Sequence, residues 1–216
     1  MARRAPDPDR AITVASGMPR AGTSMMMQML EAAGLEIHSD EGRIADIDNP
    51  KGYFELEATK RLSKDASFLA GSCGKAVKIV APLLASLPSK FEYRVIFIER
   101  DMEEVMASQR MMIEHGGQGA SSDAVDRALA RAFQKRNEEA KRWLDESGNV
   151  QVCYVSHAQI IDSAMEAATE IVDFLEAAGA IMPAVRSGSE RQRILSRMAA
   201  VVDTKLYRQR RRPEKP

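Results

Sequence analysis

The residues whose types and spacing could do chemistry stand first in "ITVASGMPRAGTSMMMQML", Ile12 to Leu30. Gly17 and Gly22 bracket a loop that contains Arg20 and closes on Thr23 and Ser24. An apolar run of strand type precedes it and a helical pattern follows. Glycines allow a tight turn with backbone amides facing inward, and the next helix presents its first amides and positive dipole end. Such a loop is built to hold an anion, with Thr23 and Ser24 adding hydroxyl donors.

The frame differs at one position from the GxxxxGK[ST] loop of nucleotide hydrolases, because Thr23 takes the place of the lysine. Arg20 restores a cation inside the loop, and its planar fork suits an oxyanion. "GMPRAGTS" resembles the 5′-phosphosulfate loop of sulfotransferases that use 3′-phosphoadenosine 5′-phosphosulfate (PAPS), in which the lysine is absent as a family trait. The resemblance implies that Gly17, Pro19, Arg20, Ala21, Gly22, Thr23 and Ser24 bind that end of the donor.

A second segment, "RVIFIERDMEEVMASQ", resembles the 3′-phosphate-binding segment of the same family, with Arg100 at the end of a strand and Ser108 in the following helix. An arginine at the C-terminal end of a parallel strand faces the crevice where such sheets bind ligands. The bland reading of Arg100 is an ion pair with Glu103 or Glu104.

A third segment, "VKIVAPLLASLP", matches the family in Lys78 and Pro82 but carries Val80 where animal cytosolic members have a catalytic histidine. The base must then come from elsewhere. "NPKGYFELEATKRL" resembles the substrate-side segment of bacterial and protein-directed relatives, which makes Glu55 the first candidate and Glu57 the second, with His38 and His115 behind them. The resemblance, from Ile12 to about Gly179, implies a transferase moving a sulfuryl group from PAPS to a hydroxyl or amine acceptor. Glu55 would be the base, Arg20 and Lys78 would stabilise the leaving phosphate, PAP would be the product, and no metal is required. A P-loop kinase using ATP and magnesium, with Glu99 or Asp101 at the metal, is the competing enzyme reading, and a nucleotide binder without catalysis is the third.

The elements that must position these residues alternate in the βα manner of a parallel sheet. Strands are expected at "AITVAS", "AVKIV", "YRVIFI" and "VQVCYV", with "LEIHS" from Leu35 a fifth. Helices are expected at Gly22–Ala33, Glu55–Leu69 and Met102–Glu114, after "GASSD" with an apolar stripe of Val125, Leu129, Phe133, Ala140 and Leu144, and from about Ala158 to Ala178. Ser122 or Asp123 can cap the fourth of these. The expected fold is a single-domain, three-layer α/β/α of P-loop type with about five parallel strands: residues 1–10 an extension, 11–179 the sulfotransferase-like domain, and 180–216 a C-terminal helix with a basic tail.

At 216 residues and 44% hydrophobic content, one well-buried core is the expectation. Lys+Arg and Asp+Glu both number 31, so no net field draws nucleic acid or an anionic membrane, and any anion site must be local. No apolar run reaches the roughly 18 residues of a membrane span, and the chain reads as cytoplasmic. Cys73 and Cys153 lack metal-ligand spacing and read as buried or partly buried thiols. The 13 methionines, several of them in "SMMMQM", read as adaptable core filler. "HGGQGASS" and the Asn49–Leu62 segment would line the acceptor pocket, whose occupant (small molecule, glycan, lipid or peptide) the sequence leaves open, as it does the oligomeric state.

Overall fold

The computed structural model describes residues 11–40, 52, 54–115, 123–180 and 188–204. The N-terminal extension, "GGQGASS", most of the segment from Asn49 to Tyr53, and the basic tail lie outside the described residues. Strands β1 (Ala11–Gly17), β2 (Ala76–Lys78), β3 (Glu92–Glu99) and β4 (Val150–Ser156) form one parallel sheet in the order β2-β1-β3-β4. Helices α1 (Thr23–Ala32), α5 (Ala164–Ala177) and α6 (Gly188–Ala200) build one core cluster with the sheet. α3 (Asp123–Glu146) and short 3-10 turns build the other. The expected three-layer α/β/α architecture is the one observed.

β3 shows why its sequence is almost continuously apolar. Ile96 and Ile98 enter the α1/α5 cluster while Tyr93, Val95 and Phe97 enter the opposite one, so neither face of the strand meets water. The methionines of α1 serve the first cluster: Met26, Met27 and Met29 are fully buried. Cys153 is buried and Cys73 half-buried, both as thiols, and burial first, with the nearby charge of Glu170, pushes the Cys153 thiol up to about 12.

The sequence expectations need four corrections. The fifth strand at Leu35 reduces to a single bridge from Ile37 to Ala76, because β2 has only three residues to pair with and the chain then turns to bond Asp40 N–H to Glu55 O. The helix expected at Glu55–Leu69 is instead two 3-10 turns, Glu57–Arg61 and Ser67–Ser72; between them Asp65 Oδ1 accepts the Ser67 N–H at 2.9 Å, a local turn that competes with helix. The single helix expected from Ala158 to Ala178 breaks at Ser163, which adopts φ −141° and ψ 58° and separates α4 (His157–Asp162) from α5. The stripe of α3 is buried only toward its C-terminal end, at Ala140 and Leu144, while Val125 is 56% exposed.

Arg94, inside the apolar β3 run, also finds its reason here. It is 2% exposed, and its Nε donates to Ala178 O at 2.8 Å while Nη2 reaches Gly179 O at 3.4 Å. The guanidinium thus caps the carbonyl end of α5, where the helix dipole favours a cation, and ties that helix to the strand. Arg94→Met should lower unfolding free energy by roughly 2 to 3 kcal/mol, since the buried carbonyl of Ala178 and the part-buried one of Gly179 lose a charged donor. Urea unfolding checks this, and a midpoint within error of the wild type would contradict it.

Candidate functional site

The strands run parallel, so their C-terminal ends share one edge, where Gly17, Lys78, Glu99 and Ser156 stand. β1 enters the loop through Gly17 at φ 153°, where an added Cβ would lie 2.8 Å from the backbone oxygen of Ile98. Only glycine fits so close to the neighbouring strand. The loop turns at Met18, whose carbonyl accepts the Ala21 N–H at 3.0 Å. It then passes Arg20 at φ 71° and Gly22 at φ 104°, and the Met26 N–H to Gly22 O bond opens α1. The first turn of α1 carries no acidic residue, so its dipole end is not already neutralised from within the helix.

Arg20 is a non-glycine residue in the left-handed region, a conformation that costs about 1 kcal/mol or more and persists where its surroundings impose it. Two contacts do so. Arg100, just past β3, donates from Nη1 to Arg20 O at 2.8 Å, and Arg20 Nε donates to Ser108 Oγ at 3.0 Å, with Nη1 near Met112 Sδ at 3.8 Å. Ser108 and Met112 lie on α2 (Met102–His115), the helix that follows β3. The two segments read separately in the sequence therefore meet at one residue of the loop. Arg100 is also paired with Glu104 at 3.2 Å, both side chains less than a tenth exposed. The bland reading of Arg100 and its contact with the loop hold together.

On the other side of the loop stands Lys78, 9% exposed at the end of β2, with Nζ 3.5 Å from Ser24 Oγ and 3.8 Å from Glu55 Oε1. Glu55 remains accessible at 30%. Glu57 points elsewhere: it is exposed and pairs with Lys60 at 2.7 Å. His38 shares a 2.7 Å hydrogen bond with Ser72 Oγ, and His115 is exposed at the end of α2. Val80 precedes the turn Ala81–Ser86 in extended conformation. Of the four candidate bases, Glu55 is the one found beside Lys78, the cation that reaches the loop's Ser24 hydroxyl.

Two neighbours of the loop were not singled out as functional in the sequence. Glu104 appears there only as a partner for Arg100. His157, the first residue of α4, is 6% exposed and abuts the loop; a Cβ on Gly22 would come within 2.8 Å of its Cδ2 and 3.4 Å of its Nε2. The signal for it was present, since His157 follows β4 directly and so sits on the same crevice edge that pointed to Arg100. Burial pushes its imidazole down to about 4, the charge of Arg100 acts in the same direction and Glu104 opposes it.

An α/β protein with a parallel sheet and a glycine-bearing loop at the C-terminal strand edge, beside Arg100 and Lys78, is therefore the class that the fold defines. No family model and no curated protein matches the chain. A solved structure of similar fold is a sulfotransferase from Alicyclobacillus acidocaldarius, 11% identical, with 92% of this chain and 99% of that chain covered and a TM-score of 0.47. A likeness so distant says nothing of substrate or mechanism.

The depressed His157 gives a pH dependence with a definite sign. An unfolded chain takes up this proton near 6.5 and the folded one only near 4, so the folded state is favoured fully above 6.5 and loses that advantage as pH falls toward 4. Between about pH 6.5 and 4.5, wild type should lose roughly 2 kcal/mol more stability than His157→Asn, as read from urea unfolding. Parallel stability curves for the two proteins would contradict the assignment.

Proposed function

We propose that this chain is a sulfotransferase that moves a sulfuryl group from PAPS to a hydroxyl or amine acceptor. The observation that carries the reading is the conformation of Arg20: the loop that lacks the hydrolase lysine holds an arginine at φ 71°, with its carbonyl on Arg100 and its side chain on Ser108. The resemblance of "GMPRAGTS" and of the Arg100–Ser108 segment to the two phosphate-binding segments of PAPS enzymes gives that arrangement its ligand. The residues fit the group. Gly17 and Gly22 allow a tight turn against β3 and His157 that a side chain at either position would disturb, and Arg20, Lys78 and Arg100 outnumber Glu55 and Glu104 around it.

In this reading the loop from Gly17 to Ser24 holds the 5′ end of the donor through backbone amides and the Thr23 and Ser24 hydroxyls, with Pro19 and Ala21 shaping the turn. Arg100 and Ser108 serve the 3′-phosphate. PAPS supplies an activated sulfuryl group. Glu55 takes the proton from the acceptor's hydroxyl as its oxygen bonds to sulfur and the sulfur–oxygen bond to phosphate breaks, leaving PAP. Arg20 and Lys78 stand where negative charge grows on the departing phosphate oxygen, and fixed cations in such a place contribute several kcal/mol to lowering the barrier. These fixed cations and amides meet the charge without a metal. The acceptor, whether small molecule, glycan, lipid or peptide, enters from the Glu55 side, and the reading keeps the chain cytoplasmic. No helix among the described residues is long and apolar enough to cross a membrane.

The kinase alternative draws less support from the same edge of the sheet. Glu99 is engaged by Lys141, and Asp101 accepts the N–H groups of Glu103 at 2.9 Å and Glu104 at 3.2 Å, so both acids that would order a magnesium ion already serve other partners. Glu55→Gln should reduce kcat for sulfate transfer from PAPS by about 10²- to 10⁴-fold, the range for loss of a general base, while PAP affinity stays within about threefold. Following PAP release and PAP titration on the same preparations checks it. An unchanged kcat would remove Glu55 from the base role; a wild type that binds PAP without turnover would make the protein a binder, and turnover only with ATP and magnesium would make it a kinase.

A further inference from the structure

His157 has no part in the reaction proposed above, yet its buried ring stands against the loop at Gly22. Its ring stands at the entry of α4, buried, with the Cδ2–Nε2 edge turned toward Gly22 and 2.8 Å from the point where a Cβ would be. The Arg100–Glu104 pair is close enough for both of its charges to act on the imidazole. Arg100 in turn holds Arg20 O, so the ring stands directly against Gly22 at one end of the loop's last turn, and the arginine whose charge it feels holds the other end.

We infer that His157 is a positioning residue of the anion loop, a wedge that sets the Gly22 corner and thereby the direction of the amides that open α1. A side chain of this size in contact with a glycine leaves the loop one backbone path, and a path fixed before the ligand arrives spares the ordering cost on binding. The inference also accounts for Gly22 on two grounds: φ 104° disfavours any side chain, and the imidazole fills the space a side chain would need. The inference takes its ligand from the PAPS reading, but the steric part of it concerns the protein alone.

The two grounds can be separated by a double-mutant cycle on Gly22→Ala and His157→Ala. In the wild-type background Gly22→Ala suffers both the backbone strain and the clash; in the His157→Ala background it suffers only the strain. Two quantities are read for each protein: the thermal midpoint without ligand, and the affinity for PAP by calorimetric titration. His157→Ala alone should weaken PAP binding about tenfold, and Gly22→Ala should weaken it by about thirtyfold in wild type but about fivefold or less in the His157→Ala background, a coupling of the size contacting residues show. The midpoints should couple in the same sense. If His157→Ala does not fold, His157→Asn, which also withdraws the ring, takes its place in the cycle. Additive effects in both readouts, or a His157→Ala protein that binds PAP like the wild type, would overturn the wedge. A wild type that does not bind PAP, with midpoints that still couple, would leave the wedge standing and remove the PAPS reading.

Discussion

The hydrogen bond from Arg100 Nη1 to the carbonyl of Arg20, 2.8 Å long, joins the end of β3 to the loop that leaves β1. It matters because β1 and β3 are adjacent and paired along their length, from Ala11 opposite Glu92 to Gly17 opposite Ile98. That register fixes where Arg100 emerges relative to Gly17. The arginine then needs no search to find the loop, and the left-handed turn at Arg20 is imposed by the sheet. Gly17 belongs to the same constraint from the other direction, since its lack of a side chain permits the approach to Ile98 O. A loop held in this way presents its amides in one arrangement, which is what an anion site requires.

Burial makes this constraint costly to disturb. Arg100 and Glu104 are both nearly withdrawn from water, and a buried pair stripped of one member leaves an uncompensated charge. Glu104 also lowers the net positive charge that Arg100 offers to a ligand. The site thus combines a well-fixed frame with cations that are partly neutralised, Arg100 by Glu104 and Lys78 by the more distant Glu55 at 3.8 Å. Arg20 differs in kind: its side chain rests on a hydroxyl and a thioether, neither of which cancels its charge.

The sheet was legible in the sequence because β1 and β3 are buried along nearly their whole length and so carry almost continuous apolar runs, and β4, part-buried at the edge of the sheet, keeps the same β-branched and aromatic character. The fifth strand failed because pairing depends on the partner, and a three-residue β2 gives "LEIHS" only one bridge. The Glu55–Leu69 segment has apolar residues at helical spacing, yet local side-chain bonds such as Asp65 to Ser67 decide its conformation, and periodicity does not report them. At the loop, glycine spacing and residue type made the tight turn between β1 and α1 visible, and Arg100 stood out as a charge ending an apolar strand. His157 was overlooked because a single histidine carries little information until the helix break at Ser163 and the burial of α4 place it against Gly22. Arg94 was likewise hidden, since its partners are the last carbonyls of a helix 84 residues away in sequence.

The central claim is that the loop and the Arg100–Ser108 segment together receive one ligand with two separated anionic groups. Calorimetric titration of the wild-type protein with PAP and with adenosine 5′-monophosphate, at matched low salt, tests it most directly. PAP should bind at least about tenfold more tightly, because only it carries a phosphate for the second segment and a charge-assisted contact is worth that much. Equal affinities for the two nucleotides would contradict the account.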